Sequence, residues 1–326
     1  MIYPWLQSIW QHIDQHWQQQ PHAWLIHGHS GIGKRAFAEH LAQALLCEHS
    51  LAEHQPCGQC PSCHLFTQQS HPDFLMLTPP LAEDEANPRA RQQIKVESVR
   101  AALAFAHLSS HRGGRRVILI YPAESMNTQA ANALLKILEE PPADVMFILV
   151  SHNKDRLLPT IKSRCRQLAL PMPSHEQAMA YLQQQAVPDA DNQLAFHGGA
   201  PLFDESADDA ALRENLLTIL AKPGLIACMD YAAQFDRQKK PLALFLNWLH
   251  KWLLDVALAQ RSMPTVYYPA WHTAIDTVAE RTTSLALFAL VQKLATIAPY
   301  GYHTLNVKMQ LEDLFIAYVQ FWQNKA

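Results

Sequence analysis

Charge of one sign is what this chain has least of. Its 26 lysines and arginines face 29 aspartates and glutamates, a net of −3. The protein as a whole is therefore not built to hold a polyanion, and any nucleic-acid contact has to be local or shared with partners. Long hydrophobic runs are missing too. The most apolar stretch, 242–258, is broken by His250, Lys251 and Asp255, so no membrane span is expected. Met1 to Trp10 carry neither a basic region nor an apolar run of secretory length, and a cytosolic address with reduced thiols is the expectation for the six cysteines. There is no internal repeat and no low-complexity tract. The 18 histidines are scattered with no His-Glu-x-x-His pair, which argues against a catalytic metal held by histidine. What the chain does have is apolar material: 49% of 326 residues, ample for two or three real cores.

Residues 23–27 form a short apolar run ending at Gly28, the pattern of a buried strand. From Ala36 to Leu46 the residues Phe37, Leu41 and Leu45 recur at helical spacing. Further strands are predicted at 74–77, 117–121, 146–150 and 167–170, with amphipathic helices at 96–107 and 127–140, the second stopped by Pro141-Pro142. Residues 78–93 read as a solvated loop and 111–116, with Gly113-Gly114, as a turn. Alternating strands and helices imply a parallel sheet covered on both faces, an α/β domain. Beyond Pro171 and Pro173 the pattern is helical only. Its aromatics, among them Trp248, Trp252, Phe288 and Phe315, read as core.

Residues 28–35, Gly-His-Ser-Gly-Ile-Gly-Lys-Arg, form a phosphate-binding loop spoiled at its last position. In G-x-x-x-x-G-K-[ST] the glycines bring backbone N–H groups to the phosphates, the lysine reaches the β and γ oxygens and the hydroxyl holds Mg²⁺. Gly28, Gly31, Gly33 and Lys34 are in place, but Arg35 stands where the hydroxyl belongs. A working ATPase also needs a carboxylate at the end of a neighbouring strand. The strand at 117–120 ends instead in Tyr121-Pro122, and neither side chain can bind the metal or activate water. Glu124 is expected to point elsewhere. With three positions lost together, no Mg²⁺ site and no intrinsic hydrolysis are expected, while nucleotide binding without turnover stays open.

Cys57, Cys60 and Cys63 follow one another at two-residue gaps, with Cys47 further back. Four thiolates suit a tetrahedral structural Zn²⁺ with no open position, stapling an insertion at 47–63. Unligated packed thiols are the plain alternative. A ferredoxin-type cluster lacks its fourth cysteine, because Thr67 stands there. Cys47 is the least secure ligand, with His54 and His64 as competitors. Cys165 and Cys228 read as packed thiols, Arg112, Arg115 and Arg116 as a solvated turn, and His71-Pro72-Asp73 as a structural turn.

Asn132-Ala-Leu-Leu-Lys-Ile-Leu-Glu-Glu-Pro-Pro142, followed by a strand and then Ser163-Arg164-Cys165, resembles the clamp-loader branch of the AAA+ family. Spacing alone reads Arg164 as a surface residue in a helix-ending turn; the resemblance makes it an arginine finger acting on a neighbour's ATP. Tyr3-Pro4-Trp5-Leu6, the cysteine cluster, Ser70-His-Pro-Asp73 and Ile94-Lys-Val-Glu-Ser-Val-Arg100 narrow the resemblance to the delta-prime subunits of that branch. The match is dense over 1–170 and weaker beyond, where 306–312 is similar to the last collar helix.

The resemblance implies an AAA+ domain at 1–170, a helical lid at 171–208 and a helical collar at 209–326. It implies zinc on Cys47, Cys57, Cys60 and Cys63. It also implies a stator role beside ATP-binding gamma or tau subunits and delta, loading a sliding clamp onto primed DNA within a polymerase holoenzyme. Gly199-Ala-Pro-Leu202 stands where active relatives place a nucleotide-sensing arginine. Two rival readings are an active ATPase with unusual metal ligation and a stand-alone zinc-containing nucleic-acid-binding protein.

Overall fold

The computed structural model describes residues 2–80, 92–112, 114–302 and 306–323. Most of the expected loop at 78–93, Gly113 and the last three residues of the expected collar lie outside these. The elements run α1 (Gln7–Gln15), β1 (Ala23–His27), α2 (Lys34–Leu46), α3 (Pro61–Thr67), β2 (Phe74–Leu77), α4 (Val96–Ala106), β3 (Arg116–Ile120), α5 (Thr128–Glu139), β4 (Val145–Ser151), α6 (Pro159–Lys162) and β5 (Arg166–Ala169). Helices only follow: α7 (His175–Gln184), α8 (Ala190–Phe196), α9 (Ala207–Ala221), α10 (Leu225–Arg237), α11 (Leu242–Ala259), α12 (His272–Arg281), α13 (Ser284–Ile297) and α14 (Val307–Gln323). Short 3₁₀ turns join several of them.

The described residues form two compact units. One holds 2–80, 92–181 and 200–202, and the other holds 182–199 with 203–323. The segment expected as a lid, 171–208, is thus divided between them.

In the first unit five strands lie in the order β2-β3-β4-β1-β5, every pair parallel. Parallel neighbours need helical crossovers, and these cover both faces. The side-chain period of two sorts the residues: Trp24 and Ile26 of β1, Val117 and Leu119 of β3, and Ile148 and Val150 of β4 meet Trp5, Trp10, Phe37 and Leu41. On the opposite face Leu25, Ile118, Ile120, Phe147 and Leu149 meet Val99, Ala102, Leu134 and Leu138. β3 and β4 are buried along their whole length, as near-continuous apolar runs require; the edge strand β5 is mostly exposed. This is the parallel sheet covered on both faces that the alternating strands and helices predict. Helix α5 starts where the Asn127 side chain accepts the Ala130 N–H at 2.8 Å and ends before the two prolines.

The second unit is all helix. Trp248, Trp252 and Phe315 are buried as expected. The Trp252 indole donates to the Tyr318 hydroxyl at 2.8 Å, which donates to the Leu220 carbonyl at 2.8 Å. Phe288 departs from expectation and is 66% exposed. Helix α13 turns Leu287, Leu290 and Leu294 inward, and Phe288 lies one residue off that stripe. Helix α11 is long and apolar enough to cross a membrane; in this fold it belongs to the helical core, burying Phe245, Leu249, Trp252 and Val256. Its Asp255 is fully buried and accepts the N–H groups of Val266, Tyr267 and Tyr268.

One histidine in this unit gives the fold a pH dependence. His197 stacks on Phe203 with ring centroids 4.2 Å apart. Burial, with Lys251 and Arg213 nearby, pulls its pKa from 6.5 down to about 3. As pH falls below 6.5 the unfolded chain takes up a proton that the folded chain refuses, so this contribution to stability is complete above 6.5 and is lost on acidification. Between pH 6.5 and 5 we expect a loss of about 1 kcal/mol, after a discount for partial exposure. Thermal midpoints of wild type and His197→Gln across that range check this: the wild-type curve should fall more steeply, and parallel curves would contradict it.

Candidate functional site

The C-terminal ends of the strands carry the polar residues, where open parallel sheets place their ligand sites. After β1 the loop bends through Gly31 and Gly33 at φ 76° and 92°, values that favour glycine. The loop is closely packed against other parts of the chain. A Cβ on Gly31 would stand 2.7 Å from the Leu202 carbonyl oxygen, and one on Gly33 would stand 2.5 Å from the Tyr3 ring. The Leu202 N–H donates to the Gly31 carbonyl at 3.0 Å, and the Trp5 indole donates to the Ile32 carbonyl at 3.0 Å. Tyr3 is stacked on Trp5 and meets the edge of Tyr181. Gly28 has a similarly close neighbour in the Leu170 carbonyl.

Lys34 is only 2% exposed. Its ammonium donates to the carbonyl of His29 in the same loop, and burial draws its pKa down to about 8 against the opposing pull of Glu124. Arg35 leaves the loop altogether. It pairs with Glu39 one turn on at 2.8 Å and lies over the Tyr121 ring, 5.5 Å from its centroid. At the end of β3 the Tyr121 hydroxyl meets His152 Nε2 at 3.2 Å.

Glu124 does not point away as expected. The short turn at 123–125 brings it back, its Oε1 accepts the His152 N–H at 2.9 Å, and its charge is felt by Lys34, Tyr121 and His152. The sequence marks Tyr3 only within the resemblance and does not single out His152. His152 is marked only by its place just past β4, and burial, reinforced by Lys34, holds its pKa below the usual range.

Ser163-Arg164-Cys165 sits on the same unit, between α6 and β5. Cys165 is buried in the sheet core, and burial lifts its thiol pKa to about 12. This fixes the backbone while Arg164 turns outward, 32% exposed. The Arg164 guanidinium pairs with Glu139 and donates to the Thr160 carbonyl at 3.0 Å. The Ser163 hydroxyl donates to that same carbonyl at 3.0 Å.

The four cysteines converge, with all four sulfurs within 4.8 Å of one another. Cys47 and Cys60 are 3.9 Å apart and Cys57 and Cys63 4.0 Å, close to the ~3.8 Å edge of a tetrahedron with Zn–S bonds of ~2.3 Å. Backbone N–H groups of Gln59 and Cys60 point at Cys57 Sγ and bring its pKa down to about 6, which favours the thiolate that a metal requires. Of the two competitors, His54 is taken up elsewhere: it pairs with Asp14 at 2.6 Å and stacks on Trp17. His64 is exposed and is not among the converging residues. The donor set therefore fits four sulfurs.

Helix α3, too short for periodicity to announce, starts inside the cluster with Cys60 as its N-cap and Pro61 in its first turn. A buried relay ties it to the sheet domain. The Asp73 N–H donates to His71 Nδ1 at 3.0 Å, so Nε2 carries the proton and meets the Ser62 hydroxyl at 2.7 Å; Ser62 donates to the Leu46 carbonyl. His71 is structural, as expected.

The arginines at 112–116 are not an open basic patch. Arg116 is 2% exposed, bonded to the carbonyls of Phe105 and Ser109 and 3.6 Å from Asp73. Arg112 pairs with Glu48 at 2.6 Å.

The family described as "DNA polymerase III, delta subunit" matches residues 6–174. The DNA polymerase III subunit delta' of Pseudomonas aeruginosa is 38% identical over 263 residues, covering 78% of this chain and 77% of the relative. That of Escherichia coli is 32% identical over 264 residues, with 78% and 75% covered. The DNA polymerase III subunit tau of Salmonella typhimurium is 36% identical over 149 residues, 46% of this chain and 21% of the relative. By its sheet, its loop and these likenesses, the chain belongs to the family of DNA polymerase III delta-prime subunits.

Proposed function

We propose that this chain is a non-hydrolysing stator subunit of a bacterial clamp loader. It would assemble with gamma or tau and delta subunits, help place the sliding clamp on primed DNA, and supply Arg164 to the ATP site of an adjacent motor subunit. Cys47, Cys57, Cys60 and Cys63 would hold a structural Zn²⁺; a closed four-sulfur shell leaves no position for chemistry.

One observation carries the reading: Arg35, Tyr121 and Pro122 stand where the groups that hold Mg²⁺ and activate water belong. Arg35 and Tyr121 stack on one another where a hydroxyl and a carboxylate would face Mg²⁺. Leu202 and Tyr3 lie against Gly31 and Gly33. A chain so built gains nothing from binding ATP at its own loop, whereas the outward guanidinium of Arg164 has the planar, permanently charged fork that phosphate oxygens accept. Mixing the chain with gamma or tau and delta subunits tests the assignment. A discrete complex that loads clamps is expected; failure to join the complex would refute it.

A second reading, an active ATPase, draws on Glu124, whose carboxylate lies within electrostatic reach of Lys34. That carboxylate is engaged by the His152 N–H, and no second acid at the end of β3 supports it. The pairing of Arg112 and the burial of Arg116 argue against a stand-alone nucleic-acid-binding role.

A further inference from the structure

Arg164 is not idle in the isolated chain. One arm of its guanidinium holds the Glu139 carboxylate, and the other donates to the Thr160 carbonyl at 3.0 Å and lies 3.5 Å from the Ser163 hydroxyl. Glu139 is the last residue of α5, where the negative end of the helix dipole disfavours a carboxylate. A counter-charge there relieves that penalty. The Glu139 side chain is 50% exposed and that of Arg164 32%, so the pair faces solvent and can be exchanged.

We infer that Glu139 is a positioning residue: its carboxylate keeps the fork of Arg164 extended until the terminal phosphate of a nucleoside triphosphate on the neighbouring subunit takes its place. This rests on the role proposed above for Arg164. Carboxylate and phosphate present oxygens to the same face of a guanidinium, and the phosphate carries more charge. The inner arm keeps its bond to Thr160, and buried Cys165 holds the backbone, so engagement changes only the outer partner. No bond is made or broken in the exchange. The latch lends order at the cost of competition, because every engagement must first displace a carboxylate.

Glu139→Gln retains the size of the side chain and removes its charge. In a loader whose only competent motor site is the one beside this chain, it should lower the KM for ATP by about 1.5- to 5-fold, the range expected for losing an exposed ion pair, without reducing kcat. Glu139→Asp, which keeps the charge, should return KM toward the wild-type value. In an Arg164→Ala background Glu139→Gln should change nothing. An unchanged KM, or a fall in kcat, in Glu139→Gln would overturn the latch while leaving the finger intact, provided Arg164→Ala abolishes turnover. Undiminished turnover in Arg164→Ala would remove the finger and the latch together.

Discussion

Arg164→Ala is expected to leave the assembled loader intact and to slow ATP turnover at the adjacent motor site by about 10³-fold or more, the loss seen when an arginine supplied in trans is removed from phosphoryl transfer. The size of the effect follows from what the guanidinium does. It touches the terminal phosphate of the bound nucleotide and meets the charge that grows there in the transition state, so its loss falls mainly on kcat, with a smaller rise in KM. Assembly should survive because Arg164 packs against nothing that holds the fold: its partners are Glu139, the Thr160 carbonyl and the Ser163 hydroxyl, all near the surface. Arg164→Lys should recover little, since an ammonium lacks the planar fork. Single-turnover hydrolysis in the reconstituted loader, with complex formation followed by gel filtration, separates the two effects. Unchanged turnover would refute the finger.

Loss of the metal should have the largest effect on stability. Metal analysis of protein purified without chelators should return one zinc per chain, and Cys63→Ser should abolish it. Structural zinc supplies about 10–16 kcal/mol to peptides that have no other core. The insertion is less dependent, because the Ser62–His71 relay and the burial of Cys63 at 1% exposure tie it to the sheet domain. Even a quarter of that figure, spread over a unit of this size, lowers the thermal midpoint by about 5–10 °C. Cys228→Ser is the control. That thiol is buried among α9, α10 and the rest of the helical core, and zinc content should not change. A zinc-free wild-type protein of undiminished stability would contradict the assignment.

Much of this was legible from the chain alone, and the reasons differ by element. β1, β3 and β4 announce themselves because a parallel sheet buried on both faces demands unbroken apolar runs. α5 announces itself by its periodicity, its Asn127 cap and the prolines after it. The cysteine cluster is legible because its spacing is local. Glu124 departs from expectation because the direction of a side chain in a three-residue turn depends on what it meets, here the N–H of His152, just past β4. Tyr3 and Leu202 are far along the chain from Gly33 and Gly31, which they cover, and no local pattern reports such a closure. Phe288 was placed in the core on aromatic content, whereas the leucine stripe of α13 sets the buried face. The pairing of Arg164 with Glu139 joins two motifs that the sequence displays separately.

The central claim is that this chain cannot hydrolyse ATP at its own loop and acts instead on a neighbour's. The most direct measurement is Mg²⁺-dependent ATP hydrolysis by the isolated chain, with Lys34→Ala as the blank. The account predicts turnover no higher than that of the blank. Turnover that exceeds the blank and disappears in Glu124→Gln would contradict it and give the loop back its chemistry.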